Sequence, residues 1–286
     1  MDNDTPQTRC AEGDAQACYD LGAAAYNSAR PDIVGARSWL SKGCYKHHPQ
    51  SCGLMGDIVR DAKGGPADPE RAAEHYQIAC DGDVGSACVS LGELYMNGEG
   101  VTRDPAKAVS MFEGGCDADP QLPHGCHLLG QAYLKGAGVA ADVIVADQLF
   151  RQACTAEVAS ACQSVGDLYA GRAKPRASAA GEPAVEDPQK VAEEFYLTAC
   201  RLDATVGCME LAIMHENGTA PDASADKAAR FYQMTCTIDP TRGCYQAAEL
   251  MASGRVKARE GEIESLYNVA CEHGHNLACL KRQQDQ

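Results

Sequence analysis

The sequence has no apolar run approaching the roughly 18 residues that a membrane-spanning helix needs. Basic side chains are in deficit, with 25 Lys and Arg against 40 Asp and Glu and a formal net charge of −15. Aromatic residues make up only 6% of the chain, including a single Trp. Nucleic-acid binding depends on clustered Lys and Arg, so we predict no nucleic-acid partner and no membrane insertion.

Cysteine, in contrast, is abundant, with 16 residues in 286. Seven pairs have the form C-x7-C and one has the form C-x9-C, and the first members of successive pairs lie 34 to 46 residues apart. The pairs are Cys10 and Cys18, Cys44 and Cys52, Cys80 and Cys88, Cys116 and Cys126, Cys154 and Cys162, Cys200 and Cys208, Cys236 and Cys244, and Cys271 and Cys279. A period of about 36 residues across the chain indicates a repeat array.

Each cysteine pair is expected to straddle a turn. Eight residues along one helix rise about 12 Å, whereas a disulfide needs its Cα atoms within about 7 Å. Turn-forming residues stand between the cysteines, as in Asp81-Gly82-Asp83 and Asp239-Pro240. We therefore predict that one Cys of each pair ends a helix and the other begins the next.

The segments between the pairs have helical periodicity. An aromatic residue or Leu recurs four residues before the first Cys of seven pairs, and a small residue usually stands eight before it, as with Tyr76 and Ala72. Asp68-Pro69, Asp104-Pro105 and Asp187-Pro188 are typical of a helix N-cap followed by Pro. No strand pattern is present. We predict an all-α fold, an α/α superhelical solenoid of helical hairpins with a disulfide at each repeat junction.

We predict a single solenoid over residues 1–286. It would comprise an N-terminal cap (1–14), about seven α-hairpin repeats (15–272) and a C-terminal cap (273–286). Segment 171–187, rich in Ala, Pro and basic residues, lengthens one interval to 46 residues and is predicted to be a flexible insertion. We expect a monomer.

Residues 87–112 resemble the Sel1-like repeat, a relative of the tetratricopeptide repeat. The matching pattern is Ala87-Cys88-x-x-Leu91-Gly92-x-x-Tyr95-x-x-Gly98-x-Gly100-Val101-x-x-Asp104-x-x-Lys107-Ala108-x-x-x-Phe112. Later repeats depart from it, with Ala212 and Ala248 in place of Gly and His215 and Met251 in place of Tyr. The cysteines make the chain similar to a secreted bacterial branch described as penicillin-binding proteins or weak β-lactamases. A mitochondrial intermembrane-space assembly factor represents a related branch.

The even count and regular spacing of the cysteines favour eight disulfides over a metal site. Zinc sites usually use C-x2-C knuckles, and none occurs here, so we predict no metal and no cofactor. Disulfides persist in oxidising compartments, which indicates a secreted or periplasmic protein, with the mitochondrial intermembrane space as the alternative. A cytosolic protein with buried free thiols is the competing interpretation.

Motifs for catalysis are sparse. Ser224-x-x-Lys227 matches the nucleophile motif of penicillin-recognising enzymes, but no S-D-N or K-T-G follows, and we predict that Ser224 caps a helix. The pairs His124/His127 and His273/His275 lack a third ligand at matching spacing, so we predict that they are surface polar side chains.

A binding surface is the stronger hypothesis. In the repeat family that this chain resembles, the helix after the second Cys lines a concave face. The residue that follows the glycine equivalent to Gly92 (the motif glycine) points its side chain into that face. We predict an acidic-polar concave groove that holds an extended or terminal peptide, basic or neutral, by hydrogen bonds to its backbone. The predicted groove residues are Asp57, Glu93, Asn97, Gln131, Asp167, Asn217 and Glu249. A merely solvated helix face is the alternative.

We therefore predict a non-catalytic, extracytoplasmic adaptor that binds a protein or peptide. The first alternative is a β-lactam-binding protein with weak β-lactamase (hydrolase) activity, which the family resemblance implies. The second is an assembly factor of the mitochondrial intermembrane space.

Overall fold

The computed structural model describes residues 5–118, 122–171, 187–202 and 205–284. Those ranges contain sixteen α-helices and no β-strand. The helices fall into two compact units, one ending at Asp142 and the other beginning at Val143. The predicted all-α fold is therefore confirmed. The predicted insertion 171–187 lies outside the described residues apart from Gly171 and Asp187.

The first unit contains α1 (Pro6–Glu12), α2 (Ala15–Tyr26), α3 (Ile33–Tyr45), α4 (Pro49–Arg60), α5 (Pro69–Asp81), α6 (Gly85–Asn97), α7 (Pro105–Ala118) and α8 (Pro123–Lys135). Each helix packs against the next one in the chain, which produces stacked hairpins. The even-numbered helices also contact one another, α2 with α4, α4 with α6 and α6 with α8. They therefore form a continuous layer within this unit.

The second unit contains α9 (Val143–Thr155), α10 (Ala159–Tyr169), α11 (Pro188–Arg201), α12 (Thr205–Glu216), α13 (Ala225–Ile238), α14 (Pro240–Ala252), α15 (Glu262–Glu272) and α16 (Asn276–Gln284). Here too each helix packs against the next. The predicted N-cap residues hold their positions in both units. Asp68, Asp104 and Asp187 each accept a hydrogen bond at about 3 Å from the backbone N–H three residues on. Such a cap stabilises a helix by about 1 kcal/mol.

All sixteen cysteines form the eight disulfides that the spacing predicts. Each disulfide joins the end of an odd-numbered helix to the start of the next even-numbered helix, with Cα atoms 4.5 to 4.8 Å apart. The prediction of a disulfide at each repeat junction is confirmed.

The core depends on a close approach between helices at the motif glycine. A Cβ added to Gly56 would lie 2.5 Å from Cε1 of Tyr76, and one added to Gly166 would lie 2.5 Å from Cε1 of Tyr196. Both tyrosines are almost completely buried. The recurring small residue therefore makes room for the aromatic ring of the following helix.

In five of the described interhelical turns, a left-handed residue stands three positions after the first Cys. It is Gly at residues 13 and 274, but His47, Asp83 and Glu157 occupy the same position with φ near +60°. A side chain in this conformation is strained by about 1–2 kcal/mol, and glycine is not.

The exposed Glu157 offers a direct test of this strain. We expect Glu157→Gly to raise the free energy of unfolding by about 0.5–1 kcal/mol, because relief of strain outweighs the added freedom of the unfolded chain. Urea unfolding of the oxidised protein measures the change. The matched control is Asp239→Gly, whose φ is −125° and whose side chain caps α14, so it should not stabilise. A loss of stability in Glu157→Gly would contradict the prediction.

Candidate ligand-binding face

The position after the motif glycine lies on the even-numbered helices. In the first unit this places Asp57 on α4, Glu93 on α6 and Gln131 on α8, three helices that contact in succession. In the second unit Asp167 lies on α10 and Glu249 on α14. We call the surface of the first unit around Asp57, Glu93 and Gln131 the α4–α6–α8 face.

Most of the predicted acidic groove residues are bonded to a buried tyrosine of the next helix. Tyr76 donates its hydroxyl to Asp57 Oδ1 at 2.8 Å, and Tyr196 donates to Asp167 Oδ1 at 2.7 Å. Burial raises the pKa of both Asp57 and Tyr76. These carboxylates therefore stabilise the packing of the hairpins as well as facing solvent.

Two further tyrosines in the second unit follow the same rule. Tyr267 donates to Glu249 Oε1 at 2.6 Å, and Lys281 Nζ lies 3.5 Å from the same oxygen. Tyr232 donates instead to Glu216 Oε2 at 2.6 Å, since Ile213 occupies the position after the motif residue of α12. The last predicted groove residue of this unit, Asn217, is the exposed C-cap of α12.

Glu93 differs from these acids because its aromatic neighbour is Phe112, which has no hydroxyl. The Glu93 carboxylate lies between two cationic or basic groups, with Oε2 3.3 Å from Arg60 Nη1 and Oε1 3.6 Å from His124 Nε2. The imidazole of His124 lowers the pKa of Glu93. Glu93 thus joins α4, α6 and α8 through side-chain contacts, and it remains about one-third exposed.

A pocket of about 170 Å³ lies beside Glu93, between α6 and α8. Its apolar lining is formed by Met96, Phe112, Leu128, Ala132 and Ala137, and its polar lining by Glu93, Asn97, Gln131 and Lys135. The structure therefore brings together three of the predicted groove residues, Glu93, Asn97 and Gln131. A second pocket, of about 200 Å³, lies on the same face beside Asp57 and includes polar groups of Gln50, Ser86 and Ser90.

The prediction that His124 and His127 are both surface side chains is wrong for His127. His127 is only 4% exposed, and its burial lowers its pKa to about 4. The cause is its place on α8, where it shares a buried face with Gly130 and Leu134, three and seven residues on. Its Nε2 lies 3.2 Å from Nε2 of Gln131, so it orients one of the predicted groove residues.

The remaining candidate motifs lie at the start of a helix and beside an aromatic ring. Ser224 is the N-cap residue of α13, as predicted, although its side chain makes no capping hydrogen bond. Lys227 Nζ donates to Asp222, and no hydrogen bond joins Ser224 to Lys227 in the part of the chain that the structure describes. His275 stacks on Tyr245 with ring centroids 4.0 Å apart.

One group in the described ranges has the composition of a metal site. Ligand atoms of Glu193, His215 and Asp222 lie within 4.8 Å of one another. Lys227 already pairs with Asp222 and would oppose a cation there.

Among the residues that the structure describes, no helix combines the length and the apolar character needed to cross a membrane.

Comparison with protein families identifies five copies of the Sel1 repeat, at residues 15–48, 49–84, 85–119, 123–157 and 205–237. Together they cover more than half of the chain. No curated protein sequence matches it.

Among solved structures, a Sel1 repeat protein from Oxalobacter formigenes is 19% identical, with a TM-score of 0.65 over 94% of this chain and 98% of the other. A protective antigen of uropathogenic Escherichia coli, c5321, which has an SLR fold, is 21% identical, with a TM-score of 0.56. The similarity covers 97% of this chain but 65% of c5321, so this chain spans just under two thirds of that relative's length. Helicobacter pylori cysteine rich protein B is 25% identical over 40% of this chain and 82% of its own, with a TM-score of 0.33.

Proposed function

This chain belongs to the Sel1 repeat family, and from that premise we propose that it is an extracytoplasmic adaptor that binds a protein or peptide on the α4–α6–α8 face. Sel1 repeats typically mediate protein interactions. The observation that carries the proposal is the pair of pockets on one face of three contacting helices, both lined by hydrogen-bonding side chains. The eight disulfides favour an oxidising compartment, and we propose secretion or the periplasm.

Recognition on this face would depend on hydrogen bonds more than on net charge. Asp57 is bonded to Tyr76, and Glu93 pairs with Arg60 and contacts His124. The amides of Asn97 and Gln131 can donate and accept, which suits the N–H and C=O groups of an extended backbone. The ligand expected here is therefore a neutral stretch of polypeptide.

Three parts of the proposal extend beyond this face. Asp167, Asn217 and Glu249 stay predicted binding residues of the second unit. The single solenoid with terminal caps and the monomeric state stay predictions as well. The proposed role is non-catalytic, since the two pockets of the α4–α6–α8 face supply contact area along stacked helices.

The amides provide the test of the proposed function. We expect Asn97→Ala combined with Gln131→Ala to weaken retention of the natural partner about tenfold, because two hydrogen bonds of roughly 0.5–1.5 kcal/mol each are lost. The immobilised chain is exposed to an extracytoplasmic extract of the source organism, and the retained protein is then titrated against each variant. Glu113→Gln, an exposed change on α7, is the control. Equal affinity of the double variant and the control would refute binding on the α4–α6–α8 face.

A further inference from the structure

We propose that a subsite between α6 and α8, with Phe112 at its base, takes one branched aliphatic side chain of an extended peptide. This inference rests on the proposed function, because it names the ligand chemistry of the same face. It begins from a difference between repeats that are otherwise alike. Four buried tyrosines bond to a carboxylate of the preceding helix, whereas the ring beside Glu93 is a phenylalanine.

The ring of Phe112 occupies the same place as those tyrosine rings. A Cβ on Gly92 would lie 2.6 Å from Cε1 of Phe112, against 2.5 Å for Gly56 and Tyr76. A hydroxyl on the Phe112 ring would therefore reach the carboxylate of Glu93, as Tyr76 reaches Asp57. Glu93 instead contacts Arg60 and His124 at 3.3 and 3.6 Å, and the Phe112 ring beside it is almost completely buried at the base of the pocket.

The size and lining of the pocket define its occupant. An apolar cavity of about 150 Å³ holds a group the size of benzene, and this pocket is about 170 Å³. Met96, Leu128 and Ala137 supply the accessible carbon and sulfur surface, over the buried Phe112 and Ala132, and this lining favours an apolar group. One leucine or isoleucine side chain is of this size.

The polar residues at the rim of the pocket, Glu93, Gln131 and Lys135, determine how the backbone of the bound peptide residue would lie. Glu93 can accept a hydrogen bond from a peptide N–H, and Lys135 can donate one to a peptide C=O. Gln131 can do either with the part of its amide that does not face His127. A single peptide unit can therefore be bonded on both sides while its side chain enters the pocket.

The charges at the rim disfavour a basic side chain in this pocket. Glu93 is the acidic residue of the lining, and it pairs with Arg60 and contacts His124. Lys135 adds a positive charge to the same rim. An ammonium or guanidinium group would therefore meet Lys135 at the rim and a carboxylate that already pairs with Arg60, so it would gain less than an uncharged group that fills the pocket.

The experiment uses capped single residues as probes and the full oxidised chain with ¹³C-labelled methionine methyl groups. N-acetyl-leucine-N′-methylamide should shift the Met96 methyl resonance saturably, with an affinity at least fivefold higher than that of the alanine or lysine analogue. Met214, buried in the second unit, should not respond. An equal or stronger response to the lysine probe, or no saturable response to the leucine probe, would overturn the proposal.

Phe112→Tyr supplies the matched variant, since it adds one oxygen and recreates the bond present in four other hairpins. We expect a melting temperature no lower than that of the wild type and at least fivefold weaker binding of the leucine probe. Tyr196→Phe, the reverse change in the second unit, should leave probe binding unchanged. A folded Phe112→Tyr variant that binds the leucine probe as tightly as the wild type would overturn the proposal. Either failure leaves the partner titration with the Asn97 and Gln131 variants unaffected, so the subsite and the proposed function fail separately.

Discussion

Reduction of the eight disulfides should unfold both units at a temperature where the oxidised protein is fully helical. Closing a loop of about nine residues stabilises the folded state by about 2–3 kcal/mol per disulfide in the entropic model. Even if the contributions of eight disulfides add only in part, their sum is comparable to the 5–15 kcal/mol that separates typical folded and unfolded states. We therefore expect the disulfides to supply most of the margin of stability.

Circular dichroism at 222 nm after reduction and thiol alkylation measures this loss of helix. A protein alkylated without prior reduction is the control, and it should keep its helical signal because all sixteen cysteines are paired. Removal of a single disulfide, by Cys80→Ser with Cys88→Ser, should cost about 2–3 kcal/mol in urea unfolding. A reduced, alkylated chain with an unchanged melting temperature would show that packing alone holds the hairpins together.

The second large effect is expected at Tyr196, which is fully buried in the second unit. Tyr196→Ala should lower the free energy of unfolding by about 3–5 kcal/mol, because it leaves a cavity beside Gly166 and removes the hydrogen bond to Asp167. Tyr196→Phe removes only the hydroxyl and should cost about 1–2 kcal/mol. The difference between the two variants separates packing from hydrogen bonding.

Urea unfolding of oxidised protein gives both values, and Tyr45→Ala is the control. Tyr45 is 82% exposed, so its removal should change the free energy of unfolding very little. A similar loss for the buried and the exposed tyrosine, or a neutral Tyr196→Ala, would contradict the account of the core given above.

The architecture could be predicted from the sequence because it depends on short-range spacing. Two cysteines separated by seven residues can be bridged only across a turn, and Asp68-Pro69 marks a helix start by local stereochemistry alone. The position after each motif glycine follows from the same period. These features need no knowledge of which side chains meet across helices.

The chemistry of the face could be predicted only in part. The sequence places Asp57 and Glu93 at equivalent positions, yet Asp57 bonds a tyrosine hydroxyl and Glu93 contacts Arg60 and His124. The signal that separates them is present in the sequence, as Tyr76 against Phe112. The effect of this difference can be recognised only from the structure, which shows each ring beside the carboxylate of the preceding helix. The burial of His127 likewise depends on which side of α8 is covered, and spacing alone does not give that.

The positions of the disulfides have a consequence for the evolution of the chain. Three of the disulfides connect the end of one matched Sel1 repeat to the beginning of the next, as Cys44 near the end of residues 15–48 is joined to Cys52 near the start of residues 49–84. Excision of residues 49–84 would remove Cys52 and Cys80 and bring Cys44 and Cys88 to a spacing of C-x7-C. Recombination can therefore delete or duplicate a whole repeat without leaving an unpaired thiol. The number of repeats can change while oxidative folding still pairs cysteines that are neighbours in the sequence.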